Sequence, residues 1–208
     1  MVAIELDSEL AAGLQSRWAG DPRIEIVHGD AAATDLTRWG EGILAGNLPY
    51  YVATSIISRY LRQPGGLRHA TFLIQEEVAA RITANPGTRD YGYFSVECQF
   101  LGRPEYLFRV PPGAFQPPPK VDSAVIRITP LKREESVDTT AFLRFASACF
   151  RLKRKTLRNN LAALYPREVV DSHAGLSRRA EELSIKDFLE LYRALNGEQG
   201  RYHAEITD

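Results

Sequence analysis

The sequence is poor in several residue types that would announce a specialised class. It has one methionine, two tryptophans and two cysteines in 208 residues. Cys98 and Cys149 are too few and too far apart for a disulfide-stapled secreted scaffold. Two free thiols in a reducing compartment are expected, and with them a cytoplasmic protein. No apolar run exceeds a handful of residues, so none is long enough to span a bilayer. Met1 is not followed by a basic stretch and an apolar core, so the sequence shows no secretory signal. His28, His69, His173 and His203 lack the spacing of metal ligands, and no metal is expected. Neither sign of charge is in excess, with 26 Lys plus Arg against 26 Asp plus Glu, which argues against a generic polyanion binder. There is no internal repeat and no low-complexity tract. What remains, 44% hydrophobic and 25% charged residues, is the profile of an ordinary globular domain with room for a small appendage.

The balanced charge is unevenly spread. Residues 1–130 carry 12 basic against 14 acidic residues, and residues 131–208 carry 14 against 12. Thr139 to Arg167 contains seven basic residues and no acid, so the chain has a local cationic segment.

Hydrophobic patterning divides the chain into two parts. Val2–Leu6, Ile24–Val27, Gly42–Ala45 and Ala70–Ile74 read as short buried strands. Ser8–Trp18, Ala53–Leu61 and Glu76–Thr83 read as amphipathic helices between and after them. This alternation predicts an α/β fold with a parallel sheet and helices on its faces. Phe94–Leu101 reads as a helix. Tyr106–Val110 and Ser123–Ile128 read as an antiparallel edge pair around the proline-rich Pro111–Pro119. After Pro130 the pattern is helical, over Thr140–Phe150, Lys153–Leu164 and Ile185–Asn196, with Ser184 and Asp187 placed to cap the last. Lys132–Asp138 is the expected linker. The reading is an α/β domain over residues 1–130 and a small α-helical domain over 131–208.

In an open parallel sheet, ligands bind beyond the carboxyl ends of the strands. Three such ends are polar here: Glu5-Leu6-Asp7, His28-Gly29-Asp30 and Gly46-Asn47-Leu48-Pro49-Tyr50. An acid after one strand can accept from both hydroxyls of a ribose, and an acid after the next can accept from an adenine amine. Each acid alone serves equally well as a helix cap, and Asp7 or Ser8 is placed to cap the following helix. The third end carries more chemistry. An exocyclic adenine amine is a poor nucleophile because its lone pair is delocalised into the ring. The Asn47 side-chain oxygen and a neighbouring carbonyl can accept its two hydrogens and favour the tetrahedral nitrogen that forms on attack. Pro49 holds Leu48 in extended backbone and so aims that carbonyl. Tyr50 offers a ring for stacking. The competing reading of Asn47–Tyr50 is a plain Asn-x-Pro turn.

These residues resemble those of the S-adenosylmethionine-dependent ribosomal RNA adenine dimethyltransferases, specifically the bacterial small-subunit type. The segments that carry the resemblance are VAIELD (Val2–Asp7), HGDA (His28–Ala31), GNLPYYVAT (Gly46–Thr54), PPGAFQPPPKVDSAV (Pro111–Val125) and KRKTLRNNL (Lys153–Leu161). They span nearly the whole chain, and the last two are absent from general methyltransferases. The resemblance implies a Rossmann-like class I methyltransferase sheet with a C-terminal helical domain. It implies Glu5 on the cofactor ribose and Asp30 on the cofactor adenine, with Leu6, Ala31 and Asn47 completing that site. It implies Asn47, Leu48, Pro49 and Tyr50 around the target amine and Phe115 packed on the target base. The activity implied is transfer of two methyl groups to N6 of each of two adjacent adenosines near the 3′ end of small-subunit RNA. The partner is the immature small ribosomal subunit, and the chain is expected to act as a monomer. Lys120, Arg151, Lys153, Arg154, Lys155 and Arg158 are the candidate phosphate contacts, although a charged solvated helix would look the same.

The resemblance also implies a further strand and a glycine-rich cofactor loop ahead of Val2. Gly40-Glu41-Gly42 precedes a strand where such a loop should follow one, so it does not qualify. The missing strand would lie between Val2–Leu6 and Gly42–Ala45, so two strand edges should be bare and the sheet divided. The sequence reads either as part of a longer product or as a short form, and weak or absent cofactor binding is expected of these 208 residues. Two other functions fit the same residues. One is an RNA-binding assembly factor without turnover. The other is a large-subunit RNA adenine methyltransferase of the antibiotic-resistance type, against which the Asn-Leu-Pro-Tyr spelling and the run Pro117–Val121 argue.

Overall fold

A computed structural model of the chain describes residues 1–62, 65–132 and 137–196. Most of the expected linker (residues 133–136) and the C-terminal stretch 197–208, with His203, lie outside the described residues.

The chain opens with β1 (Val2–Glu5), α1 (Ser8–Trp18) and β2 (Glu25–His28). The two strands pair in parallel, Glu5 facing His28. The Asp7 carboxylate caps α1 by accepting from the Glu9 and Leu10 amides. A 3-10 turn over Leu36–Trp39 leads to β3 (Gly42–Asn47), α2 (Ala53–Arg62) and β4 (Leu67–Gln75). Helices α3 (Glu76–Thr83) and α4 (Tyr93–Leu101) follow, then β5 (Gly102–Val110) and β6 (Ser123–Pro130). The second sheet has the order β3-β4-β6-β5, parallel between β3 and β4 and antiparallel through β6 and β5. The expected antiparallel edge is therefore present. So is the division of the sheet: no described strand joins β1 to β3, and Ile43 of β3 is exposed.

The second sheet is sealed by strict alternation. Ala70, Phe72 and Ile74 of β4 and Ala124, Ile126 and Ile128 of β6 are fully buried on one face. Against them lies α2, whose Ala53, Ile56, Ile57, Tyr60 and Leu61 recur at helical spacing, together with α3 and α4. Tyr60 meets Phe72 edge to face at 5.9 Å, and its hydroxyl donates to the Ile128 carbonyl.

Strands β3 and β6 run two residues past the sequence reading, and β4 and β5 start earlier than it. β5 begins at Gly102 and contains Pro104, which removes an amide. That is tolerated because β5 is an edge strand. β4 begins at Leu67, three residues earlier than its apolar core suggests.

The helical part contains α5 (Thr139–Cys149), α6 (Leu157–Leu161), α7 (Arg167–Ser172) and α8 (Ile185–Asn196), with 3-10 turns over Ala174–Ser177 and Ala180–Glu182. Asp138 caps α5. Ser184 and Asp187 form the expected reciprocal cap of α8, each accepting from the other's amide. The expected helix over Lys153–Leu164 is corrected: only Leu157–Leu161 is helical, and residues 151–156 form a loop. The helical part shares one hydrophobic cluster with the sheet, for example through Phe142, which stacks on Phe100 at 4.2 Å and meets Tyr192 at 5.6 Å.

Candidate active site

β3 ends at Asn47, where Asn47 pairs with Leu73 of β4 and the Leu48 amide donates to the Leu73 carbonyl at 3.1 Å. Leu48 is buried and so anchors the turn into α2. The Asn47 carboxamide and the Leu48 carbonyl have no hydrogen-bond partner among the described residues. Both acceptors therefore stand ready at the carboxyl end of the strand.

The proline-rich loop closes over this end. A short 3-10 turn at Pro112–Ala114 sends the chain back past β3, with the Phe115 amide donating to the Pro112 carbonyl. Asn47, Leu48, Pro49, Tyr50, Phe115, Pro117 and Pro119 line a recess of about 310 Å³. The sequence-predicted target-site residues are thus brought together across nearly 70 positions of chain. A larger recess of about 400 Å³ lies between the end of α1 and the start of β2. It is at the wrong end of the strands, and its one acid, Asp21, is paired with Arg23.

Sequence reasoning did not place Pro117 and Pro119 in the pocket lining, and it missed the residue that backs Tyr50 from behind. Ser123, the first residue of β6, is fully buried and its hydroxyl lies 2.8 Å from the Tyr50 hydroxyl. It sits 73 positions from Tyr50, and nothing local marks it.

Glu5 and Asp30 lie at neighbouring strand ends, as predicted. Glu5 accepts from the Asp7 amide through Oε1, and Asp30 from the Ala32 amide through Oδ1. Oε2 of Glu5 and Oδ2 of Asp30 have no partner among the described residues. The two loops are tied together: the Gly29 amide donates to the Glu5 carbonyl, and His28 Nε2 to the Leu6 carbonyl. Leu6 is exposed and Ala31 half-buried beside them. Two free carboxylate oxygens flanked by small apolar surface suit the hydroxyls and amine of an adenosine group. They belong to the β1–β2 sheet, whereas Asn47 belongs to the other.

The cations fall into three kinds of place. Lys120 is exposed just after the pocket prolines. Arg151, Lys153, Arg154 and Lys155 are exposed on the loop between α5 and α6 and form no ion pair among the described residues. Arg158 does not join them: its guanidinium meets Asp171 at 3.3 Å. Burial pushes the thiols of Cys98 and Cys149 up, so neither is a thiolate nucleophile. No group of three or more His, Cys, Asp or Glu side chains among the described residues is placed to hold a metal.

The sequence profile described as "Ribosomal RNA adenine dimethylase" matches residues 1–196. A protein named "Ribosomal RNA small subunit methyltransferase A" from Acidobacterium capsulatum is 44% identical, over 94% of this chain and 73% of its own. One of the same name from Chlorobium chlorochromatii is 37% identical, over 92% and 73%. The fold is similar to that of a dimethyladenosine transferase from Plasmodium falciparum, with a TM-score of 0.79 at 22% identity over 91% of this chain and 79% of that one. It is also similar to the 23S rRNA methyltransferase ErmE, with a TM-score of 0.67 at 26% identity over 94% and 81%. Matches of this length and identity make the chain a member of the ribosomal RNA adenine dimethylase family.

Proposed function

We propose that the chain methylates N6 of two adjacent adenosines near the 3′ end of small-subunit ribosomal RNA, twice each, during maturation of the subunit. The observation that carries this reading is the pair of acceptors without a partner among the described residues, Asn47 Oδ1 and the Leu48 carbonyl, at the rim of a recess walled by Tyr50 and Phe115.

S-adenosylmethionine supplies an electrophilic methyl group on a sulfonium. Glu5 and Asp30, with Leu6 and Ala31, fit its nucleoside half through their free carboxylate oxygens. Asn47 and Leu48 accept the two hydrogens of the target amine. They withdraw the nitrogen lone pair from the ring and aim it outward. Tyr50 and Phe115 hold the base out of its RNA stack by ring contact. With the cofactor held there, its methyl group would pass to the amine nitrogen that Asn47 and Leu48 orient, the carbon–sulfur electron pair would stay on sulfur, and the amine proton would pass to water. Protein nucleophile and strong general base are both dispensable.

Residues 1–130 carry this chemistry, and residues 131–208 with Lys120 dock RNA. A cytoplasmic monomer acting on the immature small subunit fits both parts. No helix among the described residues is long and apolar enough to cross a membrane.

The divided sheet favours a second reading, an RNA-binding chain without turnover, because among the described residues no ladder hydrogen bonds hold the Glu5–Asp30 ends in register with Asn47. Methyl-labelled S-adenosylmethionine with unmethylated small subunits, and in parallel with unmethylated large subunits, separates the two. Label in N6-dimethyladenosine supports the enzyme, and RNA binding without label selects the second reading. Label in large-subunit RNA alone overturns both. In the active case Asn47→Ala lowers turnover by about 10²–10³-fold with little change in RNA affinity. Unchanged turnover would remove Asn47 from the mechanism.

A further inference from the structure

The loop of residues 151–156 is short, exposed and rich in cations, yet its backbone is fixed from below. Asn160, on α6, is buried with only 1% of its surface exposed. Its Oδ1 accepts from the Leu152 amide at 2.7 Å. Its Nδ2 lies 3.4 Å from the carbonyls of Leu152, Lys155 and Thr156. One carboxamide therefore meets the loop at its start and its end. The loop adds its own bonds, Arg151 amide to Ala148 carbonyl and Lys155 amide to Leu152 carbonyl. The helix carrying Asn160 is pinned in turn, since the Leu157 amide donates to the Arg178 carbonyl at 2.9 Å.

A buried amide with every polar atom turned toward one loop is an expensive way to support a merely solvated turn. It makes sense where the loop must hold its shape before a ligand arrives. Arg151, Lys153, Arg154 and Lys155 project from this fixed backbone without ion-pair partners among the described residues, whereas Arg158, one turn later, is paired with Asp171. Successive cations on a rigid backbone suit a row of phosphates, because the ordering entropy of the loop is spent in folding and not in binding.

We propose that Asn160 is a positioning residue that pre-forms the Arg151–Lys155 loop as a phosphate-backbone docking surface for structured RNA. This rests on the RNA reading of the chain and adds to it the residue that shapes the interface. Asn160 itself touches no RNA.

The test is binding of a fluorescein-labelled RNA stem-loop to the whole chain, measured by anisotropy over a series of salt concentrations. Asn160→Ala should weaken binding by roughly 3–10-fold, the equivalent of one net hydrogen bond. Lys153→Ala/Arg154→Ala/Lys155→Ala should weaken it further and flatten the salt dependence by about two to three phosphate equivalents. Adding Asn160→Ala to that triple variant should then change nothing more, because the loop it shapes has lost its cations. A simple stability defect would add in both backgrounds and overturn the proposal, as would unchanged binding by Asn160→Ala alone. A triple variant that binds as well as the parent would instead refute the RNA role of the loop. Hydrogen exchange on the parent chain keeps the test independent of variant folding: the Leu152 amide should be strongly protected, and free-peptide exchange there refutes the fastening.

Discussion

The hydroxyl pair between Tyr50 and Ser123 offers a direct check on how the pocket is built. Ser123 has no exposed surface and Tyr50 is half-buried. The two oxygens lie 2.8 Å apart across 73 residues. Removing one partner leaves the other without its bond, at about 1–3 kcal/mol, while removing both restores an apolar match. Tyr50→Phe strands a fully buried serine hydroxyl and should cost near 2 kcal/mol. Ser123→Ala frees a phenol that water can reach and should cost near 1 kcal/mol. The double variant should cost no more than about 1 kcal/mol, giving a coupling of roughly 2 kcal/mol. In a chain of this size that coupling corresponds to about 4–8 °C of recovered melting temperature. Urea denaturation of the four proteins reads the cycle. Methyl transfer should fall in both single variants by similar factors, since each releases the same ring from the pocket wall. Strictly additive stabilities would show that the two hydroxyls do not bond in solution and that Tyr50 is held by packing alone.

Gly102 at the start of β5 has no space for a side chain, since a Cβ would lie 2.8 Å from Ile128 Cγ2 and 3.2 Å from the Thr129 carbonyl. Gly102→Ala should lose about 1–3 kcal/mol in a denaturation curve, and an unchanged midpoint would contradict the packing of β5 on β6. The amide and hydroxyl of Ser184 hold the Asp187 carboxyl below its ordinary 3.8. Its contribution is therefore complete above about pH 4 and disappears as pH falls through the depressed value. The melting-temperature gap between parent and Asp187→Ala, of order 1–3 °C near neutrality, should close in acid, and a gap that persists refutes the cap. Cys98 and Cys149 are buried and free, with their thiols pushed up. Neither should react with Ellman's reagent in the native protein, and both should react on unfolding.

Local chemistry was enough for much of this molecule. The alternation of Ala70, Phe72 and Ile74 requires a strand with one buried face. The spacing of Ala53, Ile56, Ile57, Tyr60 and Leu61 requires a helix with one apolar stripe. Asp7, Asp138 and the Ser184–Asp187 pair end or start helices through bonds no longer than a turn of chain. Asn47-Leu48-Pro49-Tyr50 carries its backbone constraint within four residues, so its candidate chemistry was readable before any fold. The reading failed where a distant group outweighed local preference. The run Lys153–Thr156 has helical propensity but forms a loop, in which the Asn160 carboxamide binds the Leu152 amide and the Lys155 carbonyl. β5 extends through Pro104 because an edge strand does not need that amide. Arg158 reads as one more cation of the cluster until the fold sets Asp171 beside it. Ser123 gains its role from a hydroxyl on another element, and the pocket exists because the prolines return Phe115 to the end of β3. Patterning and short-range bonds are properties of consecutive residues, so the sequence displays them. Pairings across many tens of residues depend on how the elements stack, and only the folded chain decides those.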